Sequence, residues 1–289
     1  MGKRPGFFRS PTLTGKRRLA LCPPAIISLP TRTQRFAGSE AECREHAIAE
    51  LRRVIEKDAA GWPAAIVIEP IQGTAGNIVP PPGFLREVHD VAREYGALLI
   101  ADEMITGFGR TGRLFECNRD DVVPDIMTLG KGMASGFPVS AVVSTDEIMA
   151  AKPFSLPSAS SSSYGGNPLA AAAALVTIQT ILSNNLIENS ASVGRQLRDG
   201  LQALASRHRS IANVRGKGLL IGFDLVSDQK TKALLPKEKC IEFFKGCLAE
   251  GLIMMSYTPR VRVHPPLILT SEQANCALAI IERMLERFE

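Results

Sequence analysis

Apolar residues recur at two spacings along the chain, and the change between them marks its organisation. From residue 41 to 56, Ala41, Ile48, Leu51, Val54 and Ile55 fall at loose helical spacing among charges, which predicts an amphipathic surface helix. Short continuous apolar runs then take over at 64–68 (AAIVI), 97–101 (ALLIA), 125–129 (DIMTL) and 140–144 (SAVVS). Their length and β-branched content predict strands buried on both faces. The segment 83–95 between the first two has the length of a helix, and strand, helix, strand predicts an α/β domain with a largely parallel sheet. The serine-rich stretch 158–163 and the following Tyr-Gly-Gly-Asn-Pro read as a loop that stops where a long apolar helix begins near Pro168. Beyond it, 197–208, 240–250 and 271–287 read as helices, Gly216-Lys217-Gly218 as a turn into a strand at 219–226, and Pro265-Pro266 as a second turn. Two domains are expected, a larger one over 1–183 and a smaller α+β one over 184–289.

Composition narrows the function classes. The chain has 289 residues, 45% hydrophobic and 22% charged, enough to bury a sizeable core. A net charge of +5, concentrated at the N-terminus, does not point to nucleic acid. Residues 1–38 contain no Asp or Glu but eight Lys or Arg, a bias shared by mitochondrial transit peptides and by plain basic surface segments. The longest apolar stretch, 169–182, is too short to span a bilayer and is interrupted by Thr177, Gln179 and Thr180. A cytoplasmic location is expected, with the mitochondrion as the alternative, and no membrane partner. The cysteines (Cys22, Cys43, Cys117, Cys240, Cys247 and Cys276) form no C-x-x-C pair and the four histidines are scattered, so no zinc site is expected and the thiols read as free and buried.

Candidate chemistry gathers at three strand ends, 68–73 (IEPIQG), 101–110 (ADEMITGFGR) and 128–132 (TLGKG). Ligands of open parallel sheets sit beyond the carboxyl ends of the strands, so all three point at one crevice. A carboxylate in a partly dry crevice needs a cationic or hydrogen-bonding partner, which makes Asp102 and Lys131 a candidate pair; either alone also reads as an ordinary surface charge. A lysine before glycine at a strand end is open to desolvation, which lowers its pKa and makes it a nucleophile toward an aldehyde. A carboxylate opposite holds a pyridine nitrogen protonated, and the ring becomes an electron sink; that is pyridoxal-phosphate chemistry. The rival motif is Gly107-Phe108-Gly109-Arg110-Thr111-Gly112, which matches the dinucleotide pattern G-x-G-x-x-G. It neither follows its strand directly nor opens a helix, since 113–124 is polar and ends in proline.

Seven segments, EPIQG at 69–73, VPPPGFL at 79–85, LLIADE at 98–103, TGFGRTG at 106–112, PDIMTLGKG at 124–132, YGGNPLA at 164–170 and RGKGLLIG at 215–222, occur in the order and approximate spacing of one family. Over roughly residues 10–289 the sequence resembles the class III pyridoxal-phosphate-dependent aminotransferases, the group of acetylornithine, ornithine and 4-aminobutyrate aminotransferases. The resemblance implies a fold type I transferase, with a mostly parallel sheet carrying helices on both faces, a small C-terminal domain, and amino transfer from an amino acid or ω-amine to a keto acid. It implies that Lys131 is the Schiff-base lysine and proton shuttle, and that Asp102 pairs the pyridine nitrogen of pyridoxal phosphate. Met104 stands where the family packs Val on the ring face, and Ile105 where many members place Gln near the ring hydroxyl. Ser163, with Ser162 beside it, matches the residue that reaches the cofactor phosphate of a neighbouring subunit, which implies a homodimer. Arg262 resembles the arginine that grips the substrate α-carboxylate. Ornithine- and 4-aminobutyrate-type members cover that arginine with a Glu where this chain has Thr74, so the ion pair used by that switch has no counterpart here. The family's upstream phosphate cradle and stacking aromatic have no match, and the chain is expected to lack the family's N-terminal third. Gly38-Ser39-Glu40-Ala41 imitates the cradle but lies only about thirty residues before EPIQG, and Ser39 reads as a helix cap. A catalytically impaired fragment, and racemase, decarboxylase or aminomutase chemistry on the same scaffold, stay open alternatives.

Overall fold

Alternating strand and helix sort the first half of the chain into one sheet. The computed structural model describes residues 39–57, 61–152, 155–158 and 162–288; the basic N-terminal segment and Cys22 lie outside them. Strands β1 (Ala65–Ile68), β2 (Leu98–Asp102), β3 (Ile126–Leu129) and β4 (Ala141–Ser144) neighbour one another in chain order. The first two pairings, β1 with β2 and β2 with β3, are parallel, and β4 closes the edge antiparallel to β3. Each strand lies within one residue of its sequence-predicted bounds, because short unbroken apolar runs between turn residues leave little choice of register.

Helices α1 (Glu40–Lys57) and α2 (Phe84–Glu94) cover one face of this sheet. Ser39 opens α1 with a reciprocal capping box: its Oγ accepts from Glu42 N at 3.3 Å, and Glu42 Oε2 accepts from Ser39 N at 2.6 Å. Ser39 therefore serves the helix end and not a ligand. Ile48, Leu51 and Ile55 of α1 pack with Leu85, Val88 and Val91 of α2 over Leu99 of β2. Asp120, in a 3₁₀ turn at Glu116–Asp120, accepts from Gly83 N and Leu85 N at 3.3 Å each and satisfies donors at the start of α2.

A short helix, α3 (Asp146–Met149), follows β4. Helix α4 (Pro168–Ser183) starts as expected, with Pro168 in its first turn and Asn167 Oδ1 accepting from Leu169 N and Ala170 N. Helix α5 (Leu186–Arg207) begins earlier than the 197–208 pattern predicts. Ser190 and Gly194 look like interruptions in sequence, but both are contact residues. A Cβ on Gly194 would meet the carbonyl carbon of Gly218 at 2.2 Å, so the glycine is there for close packing.

The second sheet holds β5 (Ile211–Lys217), β6 (Leu220–Asp228), β7 (Ala233–Leu234) and β8 (Arg260–Val263), with β5, β7 and β8 all antiparallel to β6. Helices α6 (Lys237–Ala249) and α7 (Ser271–Phe288) join α5 over it. Leu197, Leu201, Phe223, Phe243, Val261 and Ile281 are buried there in one continuous core. Strand β8 escaped the sequence pattern because Arg-Val-Arg-Val carries arginine at alternate positions and ends against His264-Pro265-Pro266.

Candidate active site

The ends of β1, β2 and β3 open on a cleft of about 760 Å³ whose far wall comes from α4 and from the segment after β8. Glu69, Gly73 and Thr74 line it after β1, Met104, Ile105 and Arg110 after β2, and Lys131 after β3. Arg262 and His264 close it from the second sheet. The three strand ends therefore converge, as the placement of ligands at carboxyl ends of parallel strands requires.

Lys131 occupies the first position of a 3₁₀ turn, Lys131–Ala134, immediately after β3. Its φ is 44°, a left-handed conformation that costs a non-glycine residue about 1 kcal/mol or more. A Cβ on Gly130 before it would meet Met104 Cε at 2.7 Å, so Met104 packs directly against this glycine. Met104 thus wedges beneath the turn that holds the lysine. The Lys131 side chain is exposed to the cleft and its amine makes no hydrogen bond or ion pair among the described residues. The desolvated lysine expected from sequence is not found: no described residue covers it.

Asp102 ends β2, in register with Thr128 of β3. Its Oδ1 accepts from Met104 N at 3.0 Å, leaving Oδ2 without a partner among the described residues. No salt bridge joins it to Lys131, so the candidate ion pair is corrected. Asp102 is also not part of the cleft wall formed by Lys131, Met104 and Ile105. Ser162 and Ser163 are exposed in the turn before α4, where Gly165 N donates to Ser162 O at 3.1 Å; neither lines the cleft.

Charge in the cleft is unbalanced. Lys131, Arg110 and Arg262 face one carboxylate, Glu69, whose Oε2 accepts from Gly73 N at 3.0 Å. Arg262 has no acidic partner among the described residues. Among the described residues Arg110 donates to the carbonyls of Pro265 and Leu219, and its burial pulls its pKa down. His264 is held with its pKa down at about 4, by burial first and then by Arg110 and Arg262. An organic anion entering this cleft meets two guanidinium groups with no competing carboxylate on either.

Several of these contacts were not visible in sequence. Asn77, buried at φ 57°, donates to Ile221 O at 2.6 Å and pairs through Oδ1 with His264 Nε2 at 3.0 Å. Arg215 donates to Gly76 O at 2.8 Å, and its Nη2 lies 2.9 Å from Asp224 Oδ1 as an ion pair without hydrogen-bond alignment. Both fix the Gly73–Asn77 loop on β6. Glu103, fully buried, accepts from Cys117 N at 2.8 Å and from the Thr106 hydroxyl, pinning the loop after β2. Gly112 and Gly218 serve close approach there too: a Cβ on Gly112 would meet Ala191 Cβ at 2.9 Å, and one on Gly218 would meet Gly112 N at 2.6 Å. The G-x-G-x-x-G glycines are packing residues in a turn that opens no helix. Among the described residues no group of His, Cys, Asp and Glu is placed to hold a metal, and no single helix is long and apolar enough to cross a membrane.

The fold around this cleft is matched by comparison with known proteins. The family model for class III aminotransferases matches residues 12–285, and the chain belongs to that family. The structure superposes on an amine transaminase from an uncultivated Pseudomonas species in its PLP-bound form, with a TM-score of 0.81 and 33% identity, over 86% of this chain and 58% of that one. An (S)-enantioselective omega-transaminase from Thermomicrobium roseum matches with a TM-score of 0.80 and 32% identity, over 87% and 57%. Acetylornithine aminotransferase from Elizabethkingia anophelis matches with a TM-score of 0.73 and 35% identity, over 83% and 58%. The fold is that of the fold type I transferases, and the chain spans a little under three-fifths of the length of these relatives. The cleft offers a pyridoxal ring an uncommitted amine on Lys131 for its aldehyde, and Asp102, with Oδ2 uncommitted, ends β2 just outside the cleft wall.

Proposed function

We propose that the chain transfers an amino group from an amino acid or ω-amine to a keto acid, with pyridoxal phosphate carried on Lys131. The observation that carries this reading is the Lys131 turn: a lysine held at positive φ beyond β3, its amine free, in a cleft shared with an unpartnered Arg262. When bound, the cofactor supplies an electron sink for charge developing at the substrate Cα. With its amine free, Lys131 would lift a proton from the substrate Cα and hold it on Nζ for its return. Asp102, its carboxylate held by Met104 N, would keep the nitrogen of a bound ring protonated through Oδ2. Met104 and Ile105, which line the cleft, would form the apolar surface against a bound ring. Arg262 takes the substrate carboxylate in a planar, two-point contact.

Ser162 and Ser163 are assigned to the cofactor phosphate of a second copy, which makes the working form a homodimer. In support, α4 directly behind them leaves Leu169, Leu175, Val176 and Leu182 more than half exposed, an apolar face that a second copy would cover. The domain boundary is placed between α4 and α5, at residues 183 and 184.

The test is a visible absorbance spectrum of the purified chain with pyridoxal phosphate, before and after borohydride, with peptide mapping. A yellow species fixed by reduction on Lys131, and absent in Lys131→Ala with an unchanged circular dichroism spectrum, supports the assignment. Label on another lysine, or none, removes it. Product analysis with and without a keto acid then separates transamination from racemisation or decarboxylation.

A further inference from the structure

His264 is one of the polar groups of the cleft that the proposed reaction does not use. His264 lies two residues beyond Arg262 on the extension of β8, and both side chains line the cleft. Its ring has one fixed contact, Nε2 to Asn77 Oδ1 at 3.0 Å. The amide of Asn77 is oriented by its other end, because Nδ2 donates to Ile221 O at 2.6 Å. Oδ1 is therefore the acceptor, and Nε2 must carry the proton. Burial and two neighbouring guanidinium groups, Arg110 and Arg262, keep the imidazole uncharged. A neutral ring protonated on Nε2 has a bare lone pair on Nδ1. Nδ1 has no partner among the described residues, and the residue lines the cleft.

We propose that His264 is a specificity-determining residue: beside the carboxylate held by Arg262, its Nδ1 accepts a hydrogen bond from an uncharged donor, a hydroxyl or carboxamide N–H, on the substrate side chain. The proposal rests on the amino-transfer reading for the identity of the carboxylate-bearing ligand. An ammonium is the poorer donor here, because Arg110 and Arg262 flank the acceptor and repel a third cation. A second carboxylate has no proton to give Nδ1. Amino acids such as homoserine fit, whereas the methyl-ended analogue of the same length, norvaline, leaves Nδ1 without a partner in a site from which it has excluded water. One neutral hydrogen bond of this kind is worth about tenfold in affinity.

Two measurements on the full chain test it. Long-range nitrogen–proton NMR of the histidine rings at neutral pH reports the His264 tautomer, with His264→Gln to assign the signal. Dissociation constants for homoserine and norvaline, measured by calorimetry on the chain loaded with pyridoxal phosphate, report the preference. Protonation on Nε2, tighter binding of homoserine by about tenfold, and loss of that ratio in His264→Leu with norvaline little changed support the proposal. Protonation on Nδ1, or equal affinities in the wild-type chain, overturns it without reference to whether the variant folds. A Lys131 that takes no borohydride-stable label overturns the amino-transfer reading instead, so the two failures are told apart.

Discussion

Asp102 holds one carboxylate oxygen on the amide of Met104 and leaves the other unpartnered. In Asp102→Asn the side-chain carbonyl can keep the contact with Met104 N, but an NH₂ then stands where Oδ2 was. A ring nitrogen kept protonated loses a charge-assisted bond and gains a clash of donors. Affinity for pyridoxal phosphate is expected to fall about ten- to hundredfold with an unchanged fold, by spectrophotometric titration. An unaltered titration curve would remove Asp102 from the site. The thiols give a second residue-scale expectation. Cys43, Cys117, Cys240 and Cys247 are buried and Cys276 is exposed. Burial, aided by Glu103 beside it, pushes Cys117 up to about 12; burial also pushes Cys247 to about 12 and Cys240 to about 11. Since the thiolate is the reactive form, a maleimide should label Cys276 in the native chain in a Cys22→Ser background. The other four should label only after denaturation, by mass mapping.

Helix α5 meets the hairpin between β5 and β6 at a contact that only glycine allows. A methyl on Gly194 would lie 2.2 Å from the carbonyl carbon and oxygen of Gly218, both backbone atoms that cannot rotate away. Ala would ordinarily favour a helix over Gly by about 1 kcal/mol. Here overpacking reverses the sign, and Gly194→Ala is expected to destabilise by at least about 2 kcal/mol, read as a lower urea midpoint. A variant as stable as the parent would show that the hairpin yields. The same element explains why sequence reading worked unevenly. Short apolar runs are local signals, and β1 to β4 were legible to within a residue, but burial on both faces was not: Val67 of β1 and Val142 and Val143 of β4 are more than half exposed, because no described element covers that face of the sheet's edge strands. The start of α5 was not, because Ser190 and Gly194 are chosen by partners on the β5–β6 hairpin and the Arg110 loop and not by helix propensity. The candidate site divides likewise. Lys131 and the strand ends were singled out from local motifs and Arg262 from the family resemblance, and the fold brings Lys131, Arg262 and residues after the three strands to one cleft. Contacts such as His264 with Asn77, 187 positions apart, and Arg110 with Pro265, 155 apart, exist only through the fold.

Two histidines couple proton uptake to the folding of the whole molecule. His89 is buried in the core between α2 and the first sheet, with neither ring nitrogen partnered among the described residues. Burial is the main cause of its lowered pKa; Arg93 and Arg86 push the same way, while Asp125 and Asp90 oppose. His264, at the junction of the two sheets, is lowered to about 4, again first by burial and then by Arg110 and Arg262. An unfolded histidine titrates near 6.5. Between those values the unfolded chain binds more protons than the folded one, so stability rises with pH. The contribution is complete above about pH 6.5 and is lost as pH falls toward 4. Carboxylates with lowered pKa, such as Glu42 and Glu250, are on the surface and act only below their ordinary value of 4.5, which leaves the window from pH 6.5 to 4.5 to the histidines. The urea midpoint is therefore expected to be lower at pH 5 than at pH 7.5 with little change in slope, and His89→Phe should flatten part of that difference. A midpoint indifferent to pH across this window would mean that both rings reach solvent or a partner in the folded chain.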